Sequence, residues 1–255
     1  MLNRSFVVLA LLLAACSDDA VTAVDSGTTT GDAAPPADSG QTQLVFSASF
    51  DADGADWPSP WTVAGGVAEA DVQNSRARLV PLLSGYSLAR MVAPGTETDV
   101  ESTFDLEFDE LETQGVGYYV RQNGGYLGQT SPTGAGYAVF IEGFSGTPGI
   151  GLWRERDGDE QLIERTSHPT PNMQSNVVYR VRFRVQQSGN ETVLQAKIWP
   201  RGQDEPDAWS VETTDSSPEL QNLSGGYAFD AWNSRTSGGS TPPNVYVDEL
   251  HVYRN

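Results

Sequence analysis

The chain has 255 residues, 38% of them hydrophobic, and its 34 acidic and 15 basic residues give a formal net charge of −19. A surface of this sign repels phosphate backbones, so nucleic acid is excluded as an expected partner. This length suits one large β domain or two small ones. Six Trp, nine Tyr and nine Phe supply enough bulk for a sizeable core.

The first fifteen residues predict an export signal. Arg4 supplies a charged start, and the apolar run 6–13 is too short to cross a bilayer as a stop-transfer helix. Leu13-Ala14-Ala15-Cys16 then resembles the bacterial lipobox, in which the cysteine is acylated and becomes the mature N-terminus. An ordinary secretory signal with a chance cysteine is the alternative. We therefore expect residues 1–15 to be a lipoprotein signal peptide and Cys16 to be lipidated.

Lipidation at Cys16 predicts a secreted protein held in the cell envelope by a membrane anchor. Ser17 is not a retention signal of the Asp type, which by analogy favours the outer membrane of a Gram-negative bacterium. Residues 16–42 contain Ser, Thr, Gly, Pro and Asp with no aromatic residue and no Lys or Arg. Such a segment buries too little apolar area to offset its ordering entropy, so it predicts a disordered acidic linker.

Residues 43–255 predict a single all-β domain. Short runs alternate apolar and polar side chains between Gly, Asn, Asp and Pro turns, and no window has a helical period. In the longest run, Val100, Phe104, Leu106 and Phe108 share one face. About a dozen strands at this spacing predict a two-sheet antiparallel jelly-roll sandwich. Cys16 is the only cysteine, so the domain must depend on its core rather than on disulfides.

Several stretches in order resemble the concanavalin A-like, laminin-G-like jelly-roll family. They are 46–51, 98–121, 179–185 with 194–199, and 225–229 with 245–253. The resemblance covers about residues 44–254. The family includes lectins, carbohydrate-binding modules, adhesion modules and glycoside hydrolases, so the fold alone does not decide function.

A structural calcium ion is the candidate cofactor, with Asp51 and Asp248 as ligands. The resemblance implies that the first and last strands are antiparallel neighbours, which would bring these carboxylates together. Asp248 also alternates in step with Tyr246, Leu250 and Val252, which look inward-facing, and a carboxylate on that face needs a partner. The alternative is that Asp248 lies at a bulge and accepts backbone N–H groups, while Asp51 starts a turn.

The acidic segment around Glu107 offers candidate catalytic residues. Glu107, Asp109 and Glu112 resemble the E-x-D-x-x-E signature of laminarinase-like glycoside hydrolases. On a bulged strand the two glutamates could serve as nucleophile and acid/base, with Asp109 between them. Further carboxylates dilute the motif, and the alternative is an acidic surface paired with the arginines of 180–184.

Aromatic and polar residues near the middle of the chain are candidate carbohydrate ligands. Tyr118, Arg121, Asn123 and Tyr126 precede a glycine-rich loop, and Trp153 is a further candidate. Packing in the sandwich core is the alternative for each aromatic residue.

Taken together, the sequence predicts a non-catalytic, surface-tethered binding module for a polysaccharide or glycan. The alternatives are a glycoside hydrolase using Glu107 and Glu112, and a structural envelope or adhesion lipoprotein.

Overall fold

The computed structural model describes residues 43–82, 87–126, 129–143, 148–167, 172–234 and 243–255. The predicted signal peptide, Cys16 and the predicted linker lie outside these residues. Within them, no helix is long and apolar enough to cross a membrane.

Strands make up nearly all the regular structure of the described residues, because alternating apolar positions suit a pleated layer with one buried face. In chain order the strands are β1 (Gln43–Ala48), β2 (Thr62–Gly65), β3 (Val67–Val72), β4 (Ala77–Pro81), β5 (Ser87–Glu97), β6 (Val100–Phe108), β7 (Gln114–Gln122), β8 (Gly136–Glu142), β9 (Gly149–Arg156), β10 (Asp159–Ser167), β11 (Tyr179–Ser188), β12 (Glu191–Pro200), β13 (Val211–Asp215), β14 (Gly225–Asn233) and β15 (Val245–Arg254). Short 3₁₀ helices span Leu111–Thr113 and Pro218–Leu220.

These strands form two antiparallel sheets. One has eight strands in the order β13-β12-β11-β6-β15-β4-β3, with β1 also paired to β15. The other has seven strands in the order β10-β9-β8-β7-β14-β5-β2. The prediction of an all-β, two-sheet antiparallel sandwich is confirmed.

The core lies between the inner faces of the two sheets. Phe104, Leu106 and Phe108 of β6 are at most 1% exposed, as their alternation predicts. The Phe229 ring packs among other rings, with its centroid 4.8 Å from that of Tyr118 and 5.2 Å from that of Phe104. Each fully buried side chain of this size contributes about 1.5–3 kcal/mol, so a sandwich can be stable without a disulfide.

A β-bulge in β15 changes the predicted orientation of Asp248. The register with β6 shifts between Asp248 and His251, and Glu249 has a φ of 51°. Leu250 and Val252 join the core beyond the bulge, whereas Asp248 lies on the outer face and is half-buried. The prediction that Asp248 shares an inward face with these residues is therefore wrong. Its carboxylate accepts a bond from the Glu249 backbone, and burial raises its pKa, as in the bulge alternative.

Candidate ligand-binding face

The outer face of the seven-stranded sheet, turned away from the core, combines large rings with glycines. The Trp232 side chain of β14 lies across Gly115 of β7, where an added Cβ would come within 2.2 Å of the ring. The Phe140 ring of β8 covers Gly117 in the same way, at 2.7 Å. Without a Cβ at these positions the rings can lie flat on the backbone, so the sheet carries a second apolar layer.

Three of these rings form a continuous strip. The centroids of Phe140 and Trp153 are 4.7 Å apart with the planes tilted by only 21°, and Phe140 and Trp232 are 4.9 Å apart. Trp153 is half-buried, and its register partner Leu162 is 48% exposed. In this aromatic strip, Phe140-Trp153-Trp232, Phe140 and Trp232 are at most 8% exposed, so Trp153 together with Leu162 forms the part that reaches the solvent at the β9–β10 end of the sheet.

A buried group of charges adjoins the strip. The Arg90 guanidinium binds Asp230 through two hydrogen bonds of 2.7 Å, from Nε to Oδ1 and from Nη2 to Oδ2. Its Nη1 donates to Glu155 at 2.9 Å, and its Nη2 lies 3.2 Å from Oε1 of Glu160. The Tyr119 ring packs against the guanidinium, 4.6 Å from its centre. We call Arg90, Asp230, Glu155 and Glu160 the Arg90 network.

The Arg90 network contains three carboxyl groups and one guanidinium. Burial raises the pKa of Asp230 to about 7 although Arg90 acts to lower it, and burial likewise raises the pKa of Glu155. Burial opposes the charge on Arg90, but Asp230 and its hydrogen bonds raise the pKa of the guanidinium. Arg90 therefore stays charged. The neighbouring carboxyl groups repel the negative charge on Asp230, so Asp230 takes up a proton near neutral pH.

The Arg90 network also positions the chain after β7. Gln122 donates from Nε2 to Glu155 at 3.0 Å and accepts the backbone N–H of Gly124 at 2.7 Å. Arg90 Nη1 donates to the carbonyl oxygen of Gly125 at 2.8 Å. Residues 122–125 are thus held to the sheet by side chains from β5 and β9.

A cleft of about 480 Å³ lies beside residues 122–125, where β2, β5, β7 and β14 come together. Glycine bulges shape it, since the register shifts around Gly226, where an added Cβ would come within 2.2 Å of the Ala93 carbonyl oxygen. Twelve residues in the described part of the chain line it, and none of these is charged. They are Thr62, Val92, Ala93, Pro94, Gly95, Gln122, Asn123, Gly124, Ser224, Gly225, Gly226 and Tyr227.

Comparison with known proteins identifies the architecture. No family model and no curated protein matches the chain. A galectin-like protein of unknown function from Bacillus subtilis has a TM-score of 0.56 at 11% identity, over 83% of this chain and 96% of that one. Lectin II from Ulex europaeus has a TM-score of 0.52 at 10% identity, over 84% and 100%. The VIP36 exoplasmic/lumenal domain in its Ca²⁺/Man-bound form has a TM-score of 0.52 at 13% identity, over 82% and 89%.

The domain has the concanavalin A-like jelly-roll fold. The predicted resemblance is confirmed at the level of the fold. At these identities the likeness shows the fold alone, so the ligand of this jelly roll has to be argued from its own residues.

The jelly roll places two of the predicted ligand residues inside the protein. Tyr118 is fully buried in the core, with its hydroxyl 3.0 Å from that of Ser102. Arg121 has a φ of 55°, and its buried side chain donates to the Thr98 carbonyl oxygen at 2.7 Å. Neither can contact a ligand on the surface, so these two predictions need correction. The left-handed backbone at Arg121 breaks the alternation on which the second one depended.

The other three predicted ligand residues lie around the candidate face. Asn123 lines the cleft, and its side chain donates to the Thr133 carbonyl oxygen. Tyr126 is half-buried, and its hydroxyl donates to the Leu88 carbonyl oxygen at 2.6 Å. Trp153 belongs to the aromatic strip.

Sequence reasoning missed Arg90 and Asp230. A usable signal existed, because each charge interrupts an apolar run, 88–93 and 227–232 respectively. A charge between buried neighbours requires a buried partner.

The acidic motif around Glu107 lies on another part of the jelly roll. Glu107 is on the outer face of the eight-stranded sheet and forms an ion pair with Arg76. Asp109 accepts two hydrogen bonds from Asn244, of 3.0 and 2.7 Å. Glu112 is exposed in a 3₁₀ helix after the strand has ended. The three carboxylates therefore do not form the strand-based arrangement that the glycoside hydrolase alternative requires.

The acidic side chains of β6 pair with arginines of β11. This agrees with the alternative prediction of an acidic surface paired with the arginines of 180–184. Arg180 donates to Asp105, and Arg182 and Arg184 both bind Glu101. A groove of about 410 Å³ crosses this sheet. The charged side chains that line the groove already form ion pairs within this sheet face. We therefore assign these ion pairs a structural role.

The predicted calcium ligands, Asp51 and Asp248, lie in different surroundings. Asp51 is exposed and accepts a hydrogen bond of 2.9 Å from Ser49 Oγ, while Asp248 lies at the β15 bulge. Ca²⁺ takes six to eight oxygen ligands. Within the described ranges, no group of three or more His, Cys, Asp or Glu side chains could hold a metal ion. A calcium ion held by Asp51 and Asp248 stays a prediction.

Proposed function

We propose that this protein is a non-catalytic carbohydrate-binding module whose site is the outer face of the seven-stranded sheet. The observation that carries the proposal is the uncharged cleft of about 480 Å³, which is formed by strands of the same sheet that carries the aromatic strip. Its volume falls in the range of small-ligand sites, which run from about 300 to 1,000 Å³. The Thr62 and Ser224 hydroxyls and backbone groups can bond sugar hydroxyls, and a ring such as Trp153 can pack against the apolar face of a pyranose.

Two similar structures support the class of ligand. The Ulex europaeus protein is named a lectin, and the VIP36 structure is a Ca²⁺/Man-bound form. These ligands belong to those proteins, and the proposal for this chain depends on its own cleft and strip.

The substitution Trp153→Ala is expected to weaken glycan binding about tenfold, which corresponds to the loss of roughly 1.4 kcal/mol of ring contact. A glycan array of the mature chain carrying Cys16→Ser would first identify a bound oligosaccharide, and isothermal titration would then give its affinity. Trp209→Ala, which removes a half-buried tryptophan near the eight-stranded sheet, is the matched control and should leave the affinity unchanged. An equal loss in both variants, or a blank array, would contradict the proposal.

The same array is to be run with Ca²⁺ and with EDTA, because the similar VIP36 structure is of a Ca²⁺/Man-bound form. Binding that is equal in the two conditions is the outcome that the uncharged lining of the cleft predicts.

We further propose that the domain is tethered to the cell envelope through lipidated Cys16, with the outer membrane of a Gram-negative bacterium as its location. Several acyl chains on one residue anchor a protein stably, whereas one chain binds marginally. Cys16→Ser is expected to move the full-length protein from the membrane fraction to the soluble fraction after cell lysis. Ser17→Ala, which changes the next residue and keeps the thiol, should stay with the membranes. If Cys16→Ser also stays there, the lipid anchor is disproved.

A further inference from the structure

We propose that the cleft selects uncharged glycans and rejects acidic ones such as uronate-containing polysaccharides. This inference rests on the proposed function and names the chemical class of its ligand. The first reason is the lining, in which none of the twelve described residues is charged, although the chain has 34 acidic and 15 basic residues. A carboxylated sugar placed there would meet no group of opposite charge among these twelve residues.

The guanidinium groups near the cleft are already bonded to other partners. Arg90 donates hydrogen bonds to Asp230 and Glu155, and Glu155 also accepts one from Gln122 of the cleft. Arg254, whose partner Glu97 pairs in register with Gly225 of the cleft, donates two hydrogen bonds of 2.6 and 2.7 Å to that carboxylate. A ligand carboxylate would have to displace one of these internal partners to gain a charge-assisted bond.

The side chain of Arg121 also has internal partners, although its backbone lies close to Gly225 of the cleft. Its side chain donates to the carbonyl oxygens of Thr98 and Leu220 and lies 3.5 Å from Asp99. The Arg90 network has more carboxyl groups than guanidinium groups, and the whole chain has a net charge of −19, so we expect a negative field over the cleft. Like charges brought together at a binding surface weaken binding, whereas a neutral sugar meets no such repulsion.

A matched ligand pair tests the inference. A neutral oligosaccharide found on the array is oxidised at C6 to the carboxylate, and part of the product is converted to the primary carboxamide. The two derivatives have nearly the same shape and differ in charge. We expect the carboxamide to bind at least tenfold more tightly than the carboxylate at low salt. The ratio should shrink in about 1 M salt, where the Debye length is about 3 Å.

A charge introduced into the cleft gives a complementary test. Ser224 is exposed in the lining, and Ser224→Lys is expected to raise affinity for the carboxylate at least fivefold without improving affinity for the carboxamide. Gln186→Lys, which adds the same charge to an exposed position of β11, should change neither affinity. Equal binding of the two derivatives by the wild-type protein would overturn this inference alone. A protein that binds neither derivative nor their neutral parent overturns the proposed function, and this inference with it.

Discussion

The substitution Arg90→Met is expected to lower the free energy of unfolding by about 3–5 kcal/mol, the usual cost of removing one partner from a buried ion pair. The Arg90 side chain is fully buried, and Asp230 and Glu155 are at most 1% exposed beside it. Methionine fills much of the same volume but leaves these carboxyl groups without their cation. Urea denaturation at pH 7, followed by tryptophan fluorescence, measures the change.

The matched control is Arg156→Met on β9. Arg156 forms an ion pair of 2.8 Å with Glu219, but the two side chains are 37% and 44% exposed. Exposed pairs of this kind contribute about 0–1 kcal/mol. Equal losses in the two variants would show that the Arg90 network does not stabilise the fold in the way described.

The stability of the protein should also decrease as the pH rises from about 4 to about 7. Burial raises the pKa of Asp230 to about 7, from an ordinary value of 3.8. Between these values the folded protein holds a proton that the unfolded chain has released, so the free energy of unfolding falls with rising pH and levels off above the folded pKa. At about 1.4 kcal/mol for each pH unit in this window, the contribution is on the order of 4 kcal/mol.

Other carboxyl groups change the free energy of unfolding at lower pH, and their contribution increases rather than decreases with rising pH. Hydrogen bonds from Arg78 and Arg254 lower the pKa values of Asp71 and Glu97, respectively. Their contribution is complete above their unfolded pKa values and is lost as the pH falls through the lower folded values. Comparison of the wild-type protein with Asp230→Asn isolates the contribution of the Asp230 carboxyl group, because asparagine does not titrate. The stability of Asp230→Asn relative to wild type should rise between pH 4.5 and pH 8. A constant difference over that range would refute the assignment.

The architecture could be predicted because the alternation of apolar and polar side chains along each strand shows which residues face the core of a sandwich. Phe104, Leu106 and Phe108 of β6 needed no knowledge of their partners to be placed inward. The same logic failed at Arg121 and Asp248, where a left-handed residue or a bulge reverses the alternation. Such irregularities depend on the register of neighbouring strands, which no single run of residues specifies.

The candidate site was harder to predict because its parts are far apart in the chain. Arg90 and Asp230 are separated by 140 residues and meet only because β5 pairs with β14 in a particular register. The uncharged cleft is likewise assembled from β2, β5, β7, β14 and residues 122–125. Trp153 was predicted from its chemistry alone, whereas its contact with the ring of Phe140 depends on the pairing of β8 with β9.

The pairing of β1 determines how mechanical load would enter the domain. Within the described residues, β1 pairs with β15 alone, with Gln43 opposite Arg254 and Ala48 opposite Leu250. A pull exerted from residue 42 is therefore transmitted first through this single ladder and through the Phe46 ring, which packs 5.0 Å from the ring of Tyr227 in the opposite sheet. Because β15 is also bonded to β6 in the middle of its sheet, such a force would spread into the interior of the sandwich, and through Tyr227 it would also reach the lining of the cleft.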